Sequence, residues 1–298
     1  MDLNERHSFN WIILTIGILA ILANILLIWT ARRLHQQALE IKCAMLLAVV
    51  DIAIAVLAIS ACILDNFPPN DEGNFLAFCT IKGPVDFLLK YSSLVLVALM
   101  AIKRFYKVKG IDIPLSIWIV IAFCSILFTI LVIMAVVYNE FHTLSGNNCM
   151  PIAANSILSA TVVFALGFFM LFSLFATLFA YLNIIVIVKQ VQLRIGQPSK
   201  DRAVVCRVFS ISLIYLVLIA PSSVFVMMEG SRSFARSDLI NLSISLLTCL
   251  NAIANPCLVL FAHSIIFKQL KSSVYSAVLQ RPPATSSDLP CNRSTDML

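Results

Sequence analysis

Two carboxamides and a proline interrupt an apolar run near the end of the chain: Asn251, Asn255 and Pro256 in LNAIANPCLVLF. The two asparagines are four residues apart, so on a helix they share one face. Carboxamides and a helix breaker in such a run are costly unless they face a protein interior. A face of this kind lines a functional cavity or a moving joint. A second apolar run, LLAVVDIAI, carries the carboxylate of Asp51. A lone carboxylate there needs hydrogen-bond partners or a cation, and oxygen donors suit a hard cation. Asn24 and Ser93, in two further apolar runs, extend the set to Asn24, Asp51, Ser93, Asn251 and Asn255. The bland alternative is a structural network around a protonated Asp51. A separate pair, Asp86 and Lys90, lies one helical turn apart. It reads first as a self-neutralised couple, with Lys90 available to an anionic ligand.

The elements that must hold these residues are apolar and long. The chain has 298 residues, 60% hydrophobic and 12% charged, about half the charge fraction of a soluble domain. Seven stretches can cross a bilayer as helices: Trp11–Thr30, Ala44–Leu64, Phe78–Ile102, Pro114–Tyr138, Ser156–Val188, Ala203–Met228 and Leu239–Phe261. Alternating strand patterns are absent, which argues against a β-barrel. The expected fold is an all-α membrane protein, a seven-transmembrane helix bundle. The fifth stretch exceeds one crossing and is expected to continue into the cytoplasm.

Orientation follows from basic residues. Sixteen of the 21 Lys and Arg fall on one side of the spans, and only Arg6, Lys82, Arg232 and Arg236 on the other. This puts the N-terminus outside and the C-terminus in the cytoplasm. The net charge of +6 is then a topology signal and an attraction to the inner leaflet and its lipids, with no indication of nucleic-acid binding. The first ten residues lack the basic start and cleavage site of a signal peptide, so the first span is expected to stay as a signal anchor. Cys79 and Cys149 fall at extracellular positions, where the oxidising compartment favours a disulfide between them. Residues 1–10 are expected as an extracellular tail and 11–263 as the membrane domain. Helical spacing in HSIIFKQLKSSVYSAVLQ suggests a short amphipathic helix along the membrane at 264–280. The Pro/Ser/Thr-rich remainder, 281–298, is expected to be a disordered cytoplasmic tail.

Polar landmarks in order along the chain resemble the rhodopsin-like (class A) G-protein-coupled receptors from Trp11 to about Leu279. Cys79 and Arg104, 25 residues apart at the two ends of the third span, are similar to that family's disulfide cysteine and cytoplasmic arginine. Asn24, Asp51 and Pro221 resemble its first-span Asn, second-span Asp and sixth-span proline. Asn255-Pro256 resembles the start of its Asn-Pro-x-x-Tyr motif, and Phe267-Lys268 the opening of its eighth helix. The departures are specific. Asp-Arg-Tyr is replaced by Lys103-Arg104-Phe105, the motif tyrosine by Val259, the sixth-span aromatic by Ile219 and the fifth-span proline by Ser173, although Tyr181 is kept. Trp118 lies close after Arg104, so the second cytoplasmic loop is short.

The resemblance implies a receptor in the plasma membrane that passes an extracellular small-molecule signal (chemosensory, amine, lipid or short peptide) to a heterotrimeric G protein. Arrestin and receptor kinases are further partners it implies. It places a sodium ion and water among Asn24, Asp51, Ser93, Asn251 and Asn255, and implies no other cofactor. It puts Arg104 opposite Asp201 as an ion pair across the cytoplasmic ends, with Tyr181, Pro221 and Pro256 as parts of the activation machinery. It makes Asp86, Lys90, Tyr91, Ser222 and Ser223 the floor of a ligand pocket. Asp86 matches the carboxylate of amine receptors, but the fifth span offers no catechol-type hydroxyl near Ala165 and Phe169, so the Asp86–Lys90 pair remains the favoured reading. Cys249 stands where opsins carry their Schiff-base lysine, which argues against a photoreceptor. No motif of an enzyme active site occurs. The alternatives are a non-signalling seven-helix scaffold or heterodimer partner and, less favoured for lack of Gly-broken half-helices, a transporter or channel.

Overall fold

The computed structural model describes residues 3–33, 39–66, 72–111, 157–195, 199–230 and 238–262, with part of 118–130. Six long helices carry the expected first, second, third, fifth, sixth and seventh spans: Leu3–Arg32, Leu39–Asn66, Glu72–Val108, Ile157–Ile195, Ser199–Gly230 and Asp238–Ala262. They are named below by span. All six are long and apolar enough to cross a membrane. Between the third and the fifth, helical backbone at residues 118–119, 121, 123, 125–127 and 130 falls inside the stretch expected as the fourth. In hydrocarbon only a helix satisfies its own backbone groups within one segment, and runs of Leu, Ile, Ala and Phe let it do so here.

Each helix outlasts the apolar stretch that announces it. The first starts at Leu3, so residues of the expected tail continue the helix. Its polar start is held from outside the pattern: the carboxamide oxygen of Asn66, at the end of the second helix, is 2.7 Å from His7 Nδ1 and accepts from Asn10 Nδ2 at 3.4 Å. At the C-terminal end of the third helix, Gly110 at φ +70° closes the helix. Ile111 N–H donates to the Tyr106 carbonyl and Gly110 N–H to that of Lys107, both at 3.0 Å. These are the two bonds of a Schellman end, which needs a left-handed residue. Residues 263–298, including the expected membrane-parallel helix and tail, lie outside the described residues, as does Cys149.

The first helix packs on the second and seventh, the third on the second and fifth, and the sixth on the fifth and seventh. Small residues permit the closest approaches. Ala20, Ala55 and Ala252 meet where the first, second and seventh helices converge. A Cβ on Gly167 would lie 2.8 Å from the backbone N of Met227, so the N-terminal half of the fifth helix and the C-terminal end of the sixth touch almost backbone to backbone. The outward faces are apolar: Phe164, Phe168, Phe172, Phe175 and Phe179 form an exposed stripe along the fifth helix. Such a stripe faces lipid in a membrane protein, and burial inside the bundle falls on the opposite faces, around Tyr91, Leu94, Tyr181, Tyr215 and Val259.

Candidate functional site

Asp51, at the middle of the second helix, is wholly buried. Both its oxygens are engaged. Ser93 Oγ on the third helix donates to Oδ1 at 3.1 Å, and Asn255 Nδ2 on the seventh donates to Oδ2 at 2.7 Å. The same Asn255 Nδ2 also reaches Ser93 Oγ at 3.4 Å. Three helices therefore meet at one carboxylate: the second brings it, and the third and seventh bring its donors. The other end of Asn255 is equally occupied: Tyr215 OH on the sixth helix donates to its Oδ1 at 2.5 Å. A bifunctional carboxamide is the group that can accept from a phenol while donating to a carboxylate. Tyr215 was not singled out in the sequence, and it brings a fourth helix into the network.

Asn24 takes a different place from the one expected. Its Nδ2 donates to the carbonyl of Ala252 at 2.9 Å as well as to Ala20 of its own helix. The reason lies in Pro256, which sits inside the seventh helix. Proline has no N–H, so the carbonyl four residues earlier, that of Ala252, loses its helical partner. Asn24 supplies the missing donor from the first helix. An Asn24→Ala variant should leave that carbonyl buried without a donor and lower unfolding stability by about 1–3 kcal/mol, read as a drop in melting temperature of the detergent-solubilised protein. Among the described residues, the side-chain oxygens of Asn24 and Asn251 are the buried ones without a hydrogen-bond partner.

Above this core opens a cavity that is partly open to solvent. Its wall is apolar, with Phe87, Leu94, Met170, Leu218 and Ile219 among its lining, while Lys90, Ser93, Ser222, Thr248 and Asn251 add polar atoms. Ser93 thus touches both the cavity and Asp51. Of the expected pocket floor, Lys90 and Ser222 line this cavity, and Asp86 lines a smaller one beside it. Tyr91 belongs to the packed core and Ser223 Oγ donates to the Ile219 carbonyl at 3.1 Å. Lys90 Nζ and Asp86 Oδ2 are 2.6 Å apart, as the i,i+4 spacing anticipated. Lys82, read from sequence as an extracellular-side residue, is only 5% exposed and lines the smaller cavity with them.

Near the C-terminal end of the third helix Arg104 Nη1 donates to Tyr181 OH at 3.2 Å. Asp201 lies on the sixth helix, but its side chain, like that of Cys79, is outside the described residues. Lys109 sits over the ring of Phe105, 4.6 Å from its centroid. Pro221 lies inside the sixth helix, six residues beyond Tyr215.

With this geometry, comparison with known proteins gives a consistent picture. The family model described as 7 transmembrane receptor (rhodopsin family) matches residues 23–258. No curated protein matches the chain. Among solved structures, the crystal structure of squid rhodopsin is similar over 94% of this chain and 87% of its own, with 17% identity and a TM-score of 0.70. At that identity the likeness is one of fold.

Proposed function

Because the chain belongs to the rhodopsin family of seven-transmembrane receptors, we propose that it couples an extracellular small-molecule ligand to a heterotrimeric G protein through the sixth and seventh helices. The observation that carries this reading is the continuity between the cavity and the buried network. Ile219 and Ser222 on the sixth helix line the cavity, as does Asn251 on the seventh. About one turn further in, the same two helices are joined by Tyr215 and Asn255. A ligand that changes how Ser222 and Ile219 pack against Asn251 therefore acts on the geometry of that link. Such a ligand shifts a pre-existing equilibrium by its differential affinity for the two packings.

Tyr215 has a particular place in this mechanism. The family motif carries tyrosine where this chain has Val259, and Val259 packs in the same core cluster as Tyr215 and Tyr181. A phenol reaches the core from the sixth helix instead of the seventh. On the cytoplasmic side, Arg104 with Tyr181 forms the next polar contact, and Lys103, Lys107 and Lys109 add positive charge to the same end of the third helix. That end is the surface a G protein would meet. With Lys103 in place of the usual acid, Arg104 lacks its sequence neighbour, and the receptor is expected to signal without ligand. Cells displaying the chain should show heterotrimer dissociation above that of untransfected cells, while proteoliposomes should show no ion or proton flux. Silent cells with good surface expression would oppose the receptor reading, and flux would favour a transporter.

The residues at Asp51 also fit a sodium ion. Asp51, Ser93 and Asn251 would hold it, and the unpartnered oxygen of Asn251 beside Ser93 is the observation that supports the fit. The ion would supply the positive charge that a carboxylate in hydrocarbon otherwise lacks. Sodium is then expected to raise the melting temperature of the wild-type protein relative to an equal concentration of a large organic cation, and Asp51→Asn should remove the difference. A sodium effect that survives in Asp51→Asn would place the ion elsewhere.

A further inference from the structure

An exposed apolar stripe on the first helix ends in a cation. Leu22, Ile25, Leu26, Trp29 and Arg33 follow one another at steps of three and four residues, so they share one helical face, and all five are exposed. From Leu22 to Arg33 the helix rises about 16 Å, close to half the hydrocarbon thickness of a bilayer. The stripe is therefore long enough to run from mid-membrane to one interface. Trp29 and Arg33 stand at its end, the depth at which tryptophan and snorkelling arginine settle.

Arg33 Cζ lies 3.8 Å from the centroid of the Trp29 ring. A guanidinium over an aromatic face is held by the ring's quadrupole, while its N–H donors point along the edges of its own plane. The ring contact thus fixes the group and leaves its edges to an acceptor. Among the described residues, Arg32, Arg33 and Lys42 meet no carboxylate. From Arg32 to Lys42 the sequence holds three cations and one acid, Glu40, whose side chain lies outside the described residues. The second helix, which packs on the first, repeats the pattern in reverse: Lys42 leads an exposed face continued by Leu46 and Val49. An apolar wall capped by cations matches the two ends of an anionic phospholipid. A zwitterionic lipid brings an ammonium of its own, which Arg32 and Lys42 repel.

We propose that the C-terminal end of the first helix seats an anionic phospholipid, its phosphate on the N–H edge of Arg33 and an acyl chain along Leu22, Ile25 and Leu26. Trp29 orients the guanidinium, whose fork suits a phosphate better than an ammonium does. Arg32 and Lys42 supply the preference for a net-negative head group. By the distribution of basic residues, the leaflet concerned is the cytoplasmic one. The inference rests on the chain's crossing a membrane and not on its ligand or its G protein.

The test uses the full chain in nanodiscs of phosphatidylcholine and phosphatidylglycerol, with Trp11 and Trp118 replaced by phenylalanine so that Trp29 is the remaining indole. Bromine on the acyl chains of one lipid or the other quenches a neighbouring indole. At equal mole fraction, brominated phosphatidylglycerol should quench Trp29 severalfold more effectively than brominated phosphatidylcholine. Arg33→Gln should lower that preference about fivefold, the scale on which one basic residue attracts an anionic lipid surface. Arg33→Lys keeps the charge without the flat fork and should fall between the two. Lys189→Gln, which removes an exposed charge from the fifth helix, should leave the preference unchanged. If the phenylalanine background does not melt cooperatively, the wild-type signal less that of Trp29→Phe gives the same quantity. Equal quenching by the two lipids, or a preference untouched by Arg33→Gln, would overturn the proposal. So would an equal loss in Lys189→Gln, which would mean diffuse charge in place of a seat. Arg33→Lys indistinguishable from wild type would remove the stacked guanidinium from it. Relief of quenching by millimolar inorganic phosphate would overturn the lipid assignment in favour of a soluble anion.

Discussion

Replacing Asn255 by leucine is expected to lower unfolding stability by about 2–5 kcal/mol, more than any other single change in the buried network. The reason is its two-sided bonding. Asn255 accepts from Tyr215 OH and donates to Asp51 Oδ2. Leucine of similar size fills the space but leaves the phenol without its acceptor and the carboxylate with one donor fewer. Each stranded buried group costs about 1–3 kcal/mol, and a charged one more. Asn251→Leu is the control. Its carboxamide oxygen has no protein partner, so that substitution should cost far less. Melting temperatures of the two variants in the same detergent check the ranking. Equal losses would mean that the Tyr215 and Asp51 bonds contribute little.

The second large effect is conformational. Tyr215→Phe keeps the ring in the core and removes the hydroxyl that ties the sixth helix to the seventh. Interhelical hydrogen bonds in membrane proteins contribute about 0.6–1.7 kcal/mol by double-mutant cycles. At about 1.4 kcal/mol per tenfold, the described packing should lose about threefold to twentyfold in population relative to its alternatives. Spin labels at the inner ends of the third and sixth helices would read this as a redistribution of distances. The same labels in an Asn255→Ala background should show no further change on adding Tyr215→Phe, because the acceptor is already gone. An unaltered distribution in the single variant would remove Tyr215 from the mechanism.

How far the sequence could lead is clearest at these residues. Asp51, Ser93 and Asn255 were legible because polar side chains in hydrocarbon must find each other, and the structure brings those three into direct contact. Asp86 and Lys90 were legible from their spacing alone. Tyr215 was not, because a tyrosine among leucines and isoleucines reads as ordinary core or lipid-facing bulk. The available signal was the absent motif tyrosine at Val259, which leaves a core position for a phenol from another helix. Asn24 was grouped with Asp51 for its polarity. A stricter count of backbone partners would have sent it to Ala252, since a proline at position 256 deprives that carbonyl of a donor. Lys82 was read by its place near the end of an apolar stretch. The third helix begins at Glu72, well before that stretch, so a lysine that looked peripheral lies on a buried helical face. The first and second helices likewise run past their apolar stretches, where Asn66 meets His7 and Asn10, contacts that hydropathy does not register.

The most direct measurement of the central claim is nucleotide exchange on purified heterotrimers, one from each Gα class, with the full chain in nanodiscs and no added ligand. The account predicts accelerated exchange on at least one heterotrimer. It also predicts that Arg104→Ala abolishes the acceleration and that Tyr215→Phe changes it, both without loss of the fold. Exchange no faster than in empty nanodiscs for every heterotrimer, with a protein that melts cooperatively, would contradict it.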